Sequence, residues 1–242
     1  MQRKILKKTV IRSGLSCLAG ALLLSCGGGS GIGPGEIKKR EERLKDRLPI
    51  DWIQYNAGDL EGAIDFFTAT LDETDGLVGV EAVKNEVKSE AQNGIGWSFM
   101  TMQDLDAAEL AFDIATTLDR RNADAWVGRA GVALAQGDFG DVVQYAIDAL
   151  EAEPDYDSAM RLDSQGRQLG HDNLDDRHVR LMLSEAYFHL GRYSAVDRPD
   201  PNNAAAQLRL VNRNYKFSSL GQLLDSLSVA SINLQESVSN GL

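Results

Sequence analysis

The feature that most restricts what this chain can fold into is a self-similarity at a fixed shift of about 34 residues. Aligning QDLDAAELAFDIATTL (103–118) with GDFGDVVQYAIDALEA (137–152) sets Asp104 on Asp138, Leu105 on Phe139, Phe112 on Ala146 and Ala115 on Ala149. The residues upstream match at the same shift, with Gly96 on Ala130 and Phe99 on Ala133. From Glu36 onward, apolar positions recur every three or four residues and alternating β-branched or aromatic runs are few. That period predicts helices. One such unit cannot bury its apolar face alone, so at least three are expected to stack, with atypical units at the ends.

Two helices in each period of roughly 34 residues resembles the tetratricopeptide repeat. The segment ADAWVGRAGVALAQGDFGDVVQYAIDALEAEPD resembles one whole repeat, with Trp126 in the first helix, small Ala130, a Gly137-Asp138 turn, Phe139, Ala146, Ala149 and closing Pro154. Residues 89–122 form a second copy through Ile95, Gly96, Phe99, Ala108, Phe112 and Ala115. Weaker copies lie at GDLEGAIDFFTATL (58–71; Gly58, Ala63, Phe67) and RLMLSEAYFHLGRY (180–193; Ser184, Tyr187, Gly191, Tyr193). The spacing from Ala63 to Ala108 exceeds one period by about eleven residues, which places an insertion around DETDGLVGV. The spacing from Ala130 to Ser184 exceeds it by about twenty, which places another near Tyr156 to Asp176. The resemblance covers about residues 40 to 197. It implies an all-α, right-handed superhelical solenoid of about four hairpins, spanning 37–197, with a C-terminal helical cap at 198–242.

Small residues have a physical role in such a hairpin. Gly96, Ala108 and Ala130 leave room for a large side chain such as Phe112, and Trp126 is expected in a core position. Leu in place of Gly96 would overpack the site by about 1–3 kcal/mol. At the N-terminal end, EIKKREERLKDRL (36–48) reads as a charged helix with Glu36/Arg40 and Lys38/Glu42 four apart. At the other end, SLGQLLDSLSVASINLQESV puts Leu220, Leu223, Leu224, Leu227, Leu234 and Val238 on one stripe. Asp200, Pro201, Asn202 and Asn203 mark the loop before this closing section.

The first 36 residues carry an address. Residues 1–25 hold five bases (Arg3, Lys4, Lys7, Lys8, Arg12) and no acid, followed by the apolar run SGLSCLAGALLLSC. Its fourteen residues reach roughly 21 Å as a helix, short of the ~30 Å hydrocarbon core, so the pattern predicts a secretory signal at 1–25. Leu23-Leu24-Ser25-Cys26 resembles the lipobox of bacterial lipoproteins, which implies lipidation of Cys26 as the first mature residue. Leu24 is less usual there than Ala, Ser, Thr or Val. GGGSGIGPGE (27–36) has six glycines in ten residues, and with Cys26 it forms a flexible tether at 26–36 reaching about 17 Å. With no Asp directly after Cys26, the usual enterobacterial sorting logic favours the periplasmic face of the outer membrane. Cys17 leaves with the signal and Cys26 is acylated, so no disulfide is expected.

The formal charge is -11, and -16 without the first 25 residues, which argues against nucleic acid as a partner. No GxSxG, HExxH, Walker loop or CxxC pair occurs. No cofactor and no catalytic activity are therefore expected. The best site-like cluster is HDNLDDRH, in which His171, Asp172 and His178 could offer ligands to a divalent metal. Asp175 or Asp176 can instead cap the helix that starts near Arg177.

The resemblance also implies a groove. In tetratricopeptide solenoids the first helices line a concave surface. The positions pointing into it are Trp52, Trp97, Gly131 and Glu185, and one turn further Tyr55, Met100, Leu134 and Phe188. An apolar, aromatic groove suits a protein or peptide partner held by a few buried anchors. Asn93 matches part of the Lys/Asn clamp by which some members hold a C-terminal carboxylate, but the basic partners are missing. The expected role is a lipid-anchored adaptor of the cell envelope. The alternatives are a metal-binding or metal-assisted envelope enzyme, and a structural subunit whose groove is filled by its own charged N-terminal or Leu-rich C-terminal helix.

Overall fold

A computed structural model describes residues 34–75, 81–163, 165–171, 174–193, 202–214 and 219–239. The signal, Cys26 and the tether as far as Gly33 lie outside the described residues, while Pro34, Gly35 and Glu36, expected in the tether, open the first helix instead. Described residues form nine α-helices and no β-strand longer than an isolated bridge. None of these helices is long and apolar enough to cross a membrane.

The helices pair as hairpins in chain order: α1 (Pro34–Asn56) with α2 (Leu60–Asp75), α3 (Glu81–Thr101) with α4 (Leu105–Leu118), α5 (Ala123–Gln136) with α6 (Phe139–Ala152), and α7 (Asp176–His189) with α8 (Ala204–Val211). First helices of successive hairpins also touch, α1 with α3, α3 with α5 and α5 with α7. This is the helical solenoid that the period predicts. A last helix, α9 (Leu220–Ser239), packs on α7 and α8.

Hairpin turns explain part of the repeat. Gly58, Gly137 and Gly191 sit just after the first helices of the first, third and fourth hairpins with φ of 81°, 82° and 73°. That left-handed backbone is open to glycine without steric cost. At the equivalent place in the second hairpin stands Gln103, with φ 63°. The helix starts follow the same economy: side chains of Asp104, Asn122 and Asn203 each accept a first-turn backbone N–H.

Between hairpins the seam is a phenylalanine set against glycine. A Cβ at Gly94 would run into the Phe67 ring, so α2 and α3 close only because Gly94 has none. Phe112 is held from two sides, since a Cβ at Gly96 would lie 2.6 Å from its ring and one at Gly128 would come closer still. Ala108, Phe112 and Ala130 are fully buried, and Gly96 is buried with them. Gly94 and Gly128, one period apart, are the inter-repeat counterparts of the Gly96 slot.

Several details differ from the sequence expectation. Trp126 is half-buried rather than in the core: its Nε1 donates to the Arg120 carbonyl at 3.0 Å and its ring lies against Tyr145 and Arg129. The charged segment 36–48 is not a separate helix, because α1 runs on through Pro49 to Asn56. Asn202 and Asn203 lie just before α8, which packs on α7 and completes the fourth hairpin instead of opening the cap, while Asp200 and Pro201 lie outside the described residues. Along α9 the buried residues are Leu223, Leu227, Ala230 and Leu234, while Leu220 and Leu224 are exposed. Side chains beyond Leu234, Val238 among them, lie outside the described residues.

Candidate binding groove and its internal strap

The first helices place Trp52, Asn93 and Trp97 on the side where α1, α3 and α5 meet, and that side is covered. The described residues between 153 and 175, in the insertion expected between the third and fourth repeats, cross it as a strap. The strap folds back on itself: Leu169 N–H donates to the Arg161 carbonyl at 2.7 Å and Asp163 N–H to the Arg167 carbonyl at 2.8 Å, with the turn at Gly166. Its base is tied by Ser158 N–H to the Leu174 carbonyl (2.8 Å) and Asp176 N–H to the Tyr156 carbonyl (2.7 Å). Its far end reaches α1, where Arg167 Nη2 meets Asp46 at 2.5 Å and Asn56 donates to the Gly170 carbonyl at 3.1 Å.

Arg161 enters the groove from this strap and stands between two carboxylates. Its Nη2 lies 2.6 Å from Glu90 on α3 and its Nη1 2.8 Å from Asp124 on α5. Both acids are also held by the solenoid itself. Glu90 accepts from Trp52 Nε1 at 3.0 Å and from Asn122 at 3.4 Å. Asp124, fully buried, accepts from Asn93 at 2.7 Å, Trp97 Nε1 at 3.1 Å and the Tyr156 hydroxyl. Burial pushes the Asp124 carboxyl up, but the Arg161 guanidinium and then His171 outweigh it and hold it well below the usual carboxylate range. Burial and the Asp124 charge push the Tyr156 phenol well up, so it stays a donor. A guanidinium fork spanning two acids is geometry that the compact lysine ammonium does not reproduce.

His171 closes the other face. Its ring meets Trp97 with centroids 4.1 Å apart, and its Nε2 lies 3.4 Å from Asp124 Oδ1. That approach misses hydrogen-bond geometry, so Nε2 is left without a hydrogen-bond partner and adds an ion pair only when the ring is protonated. Asn93 Oδ1 is likewise buried and unpartnered.

The groove positions expected from the repeat therefore divide. Trp52 and Asn93 lie beneath the strap, and Tyr55 is half-buried against Trp52, with its hydroxyl 3.1 Å from Thr101. Trp97, Met100, Gly131, Leu134 and Glu185 line one open cavity of about 730 Å³ together with Val127, Leu174, His178, Leu181, Met182, Ser231 and Leu234. Phe188 lines an adjoining cleft with Leu181, Glu185, Leu224 and Leu227. The part of the groove that is filled is filled by the strap, not by the N-terminal or C-terminal helix; α9 instead forms a wall of the open part.

For a metal, His171 and His178 do different work. His171 faces Trp97 and Asp124, whereas His178 closes a capping box with Asp175, its Nδ1 lying 3.2 Å from the Asp175 backbone N and 2.8 Å from Asp175 Oδ1. Asp172 lies outside the described residues. Among the described residues no group of three His, Cys, Asp or Glu side chains is placed to hold a metal ion.

Sequence reading passed over Glu90, Asp124 and Arg161. The signal was present, since Glu90 and Asp124 are themselves one full period apart and so fall on one face of successive repeats. The arginine could not be assigned, because an irregular insertion has no period to place it.

The hairpin repeats, their turns and their glycine seams define a protein of the helical-repeat solenoid class. Residues 93–157 match the family described as Tetratricopeptide repeat, in keeping with the 34-residue period and the paired helices of that part of the chain. Among solved structures it is similar to the one titled "Crystal structure of MamA protein", at 16% identity over 65% of this chain and 84% of that one, with a TM-score of 0.34. No curated protein matches. Repeats of this kind are protein–protein interaction scaffolds and bind protein partners.

Proposed function

We propose that this chain is a non-catalytic adaptor of the bacterial cell envelope, lipid-anchored through Cys26 on the periplasmic face of the outer membrane, that docks an apolar segment of a protein partner. The observation that carries the docking site is the convergence of Trp97, Met100, Gly131, Leu134 and Glu185 on one open, largely apolar cavity. A peptide anchor is the ligand such a cavity suits, because a few buried apolar side chains supply most of the affinity. The polar groups at hand fit a peptide backbone: Glu185 can accept an N–H, and His178 Nε2, buried without a partner, can donate to a carbonyl while its Nδ1 serves the cap.

Selection from a displayed peptide library tests it. Peptides enriched on the wild-type protein should carry an apolar anchor and lose at least tenfold in affinity for Leu134→Glu, a half-buried lining position that also packs on the Ala133, Val142 and Ala186 cluster, so the variant's denaturation midpoint is measured beside its binding. Enrichment indifferent to Leu134 would sink the reading. The anchor is tested separately by labelling cells with a fatty-acid analogue, where the label should be lost in Cys26→Ala. A second reading, a structural subunit with a self-filled groove, is favoured by the strap over Trp52 and Asn93; it predicts no enrichment of any peptide.

A further inference from the structure

The receptor half and the ligand half of the arginine cluster belong to different parts of the chain. Glu90 and Asp124 come from α3 and α5, one repeat apart, and the solenoid's own Trp52, Asn122, Asn93 and Trp97 orient them. Two buried acids held this way repel each other and need a cation. The cation comes from an irregular strap whose described residues carry one three-residue 3₁₀ turn and no α-helix. The strap is an imperfect occupant, because Asn93 Oδ1 stays without a hydrogen-bond partner while it is seated, and the strap's own His171, its side chain 9% exposed, brings Nε2 only to 3.4 Å from Asp124 Oδ1 without hydrogen-bond geometry. It also leaves Met160 and Leu162, on either side of Arg161, 71% and 50% exposed.

We propose that Glu90 and Asp124 form a recognition site for extended, arginine-bearing segments of a partner protein, and that residues 156–171 occupy this site in cis until such a segment displaces them. The arginine is read by its fork, one Nη to each acid, which a lysine ammonium cannot copy. The charge of the chain favours the encounter, since a protein of net -11 attracts basic segments. The tethered strap competes at an effective concentration in the millimolar range, so a free segment of equal intrinsic affinity must reach about millimolar concentration, or bind correspondingly more tightly, to displace it. Trp97 borders both this site and the apolar cavity, whereas Leu134 lines only the cavity, so Leu134→Glu tells the two apart.

The test uses a synthetic peptide of residues 156–171 and the full chain. Labelled peptide should bind the Arg161→Ala chain at least tenfold more tightly than the wild-type chain. Its Arg161→Ala version should lose at least tenfold and its Arg161→Lys version severalfold. Equal binding to both chains, no binding to either, or indifference to the peptide's arginine would overturn the proposal. If the Arg161→Ala chain fails to fold, hydrogen exchange on the wild-type chain decides: saturating arginine peptide should speed exchange at the amides of Asp163 and Leu169, and unchanged exchange would overturn it.

Discussion

The Trp97 indole and the His171 imidazole meet with ring centroids 4.1 Å apart and planes at 62°. On its other side Trp97 packs edge-on against Phe112 at 5.4 Å, and its Nε1 donates to Asp124. A side chain that joins the repeat seam, the strap and a buried carboxylate is structural first, although one edge lines the open cavity. Trp97→Ala should therefore cost about 3–5 kcal/mol of unfolding free energy, the usual range for a truncated core aromatic. Chemical denaturation checks it, and a cost below about 1 kcal/mol would show that the indole is not packed as described. Binding lost in this variant would report on folding, which is why Leu134 is the better probe of docking.

Gln103 is the one non-glycine residue with positive φ among those described, at a turn where the other three hairpins use glycine. Left-handed backbone costs a side chain roughly 1–2 kcal/mol, partly offset because glycine loses more entropy on folding. Gln103→Gly should stabilise the protein by about 0.5–1 kcal/mol, read as a rise in the denaturation midpoint at constant slope. Gly137→Ala, at the equivalent turn, should lower it by a similar amount.

Phe112 sits between Gly96 and Gly128, which joins the second hairpin to the third. Alanine is the better helix former, yet Gly128→Ala should destabilise by about 1–3 kcal/mol because its Cβ would enter the Phe112 ring. Phe112→Leu leaves a smaller side chain at the seam. The two changes combined should cost less than their sum by about 0.5 kcal/mol or more, a coupling that a double-mutant cycle measures. Strict additivity would mean the ring moves aside freely.

How much of this was legible follows from what repeats. The period placed Gly96, Ala108, Phe112 and Ala130 in the seam, because a packing slot recurs wherever two hairpins meet. The resemblance to tetratricopeptide repeats, not the period alone, put Met100, Leu134 and Glu185 on the groove side, and they line one cavity. Both failed where periodicity stops. The occupant of the groove is an insertion, and Arg161 is anchored by contacts to Glu90 and Asp124 at separations of 71 and 37 residues that no local pattern encodes. Trp126 misled for a related reason: one repeat upstream its position is Gln92, half-buried as well, so aromatic identity outvoted the register.

Acid response separates two kinds of buried carboxylate. Asp51 on α1 is raised to about 6, chiefly by burial, against the lowering effects of the Thr70 hydroxyl at 2.6 Å and of Arg47. Because its folded value lies above its unfolded value, its contribution is fully present below about pH 4 and is lost as pH rises through about 6. Asp124 and Asp175 run the other way. Burial raises both, but Arg161 and His171 at Asp124, and His178 and Arg177 at Asp175, pull them below the ordinary range, so their contribution is present above about pH 4 and is lost as pH falls. Stability of the wild-type protein should therefore peak between about pH 4 and 6. Asp51→Asn keeps an oxygen to accept from Thr70 and removes the buried charge. It should leave stability at pH 4 nearly unchanged and raise it by about 1–2 kcal/mol at pH 8, less than the roughly 3 kcal/mol that a two-unit shift allows at most. Urea unfolding across this range decides the matter, and parallel profiles for variant and wild type would show that Asp51 is as well solvated in the folded protein as in the unfolded chain.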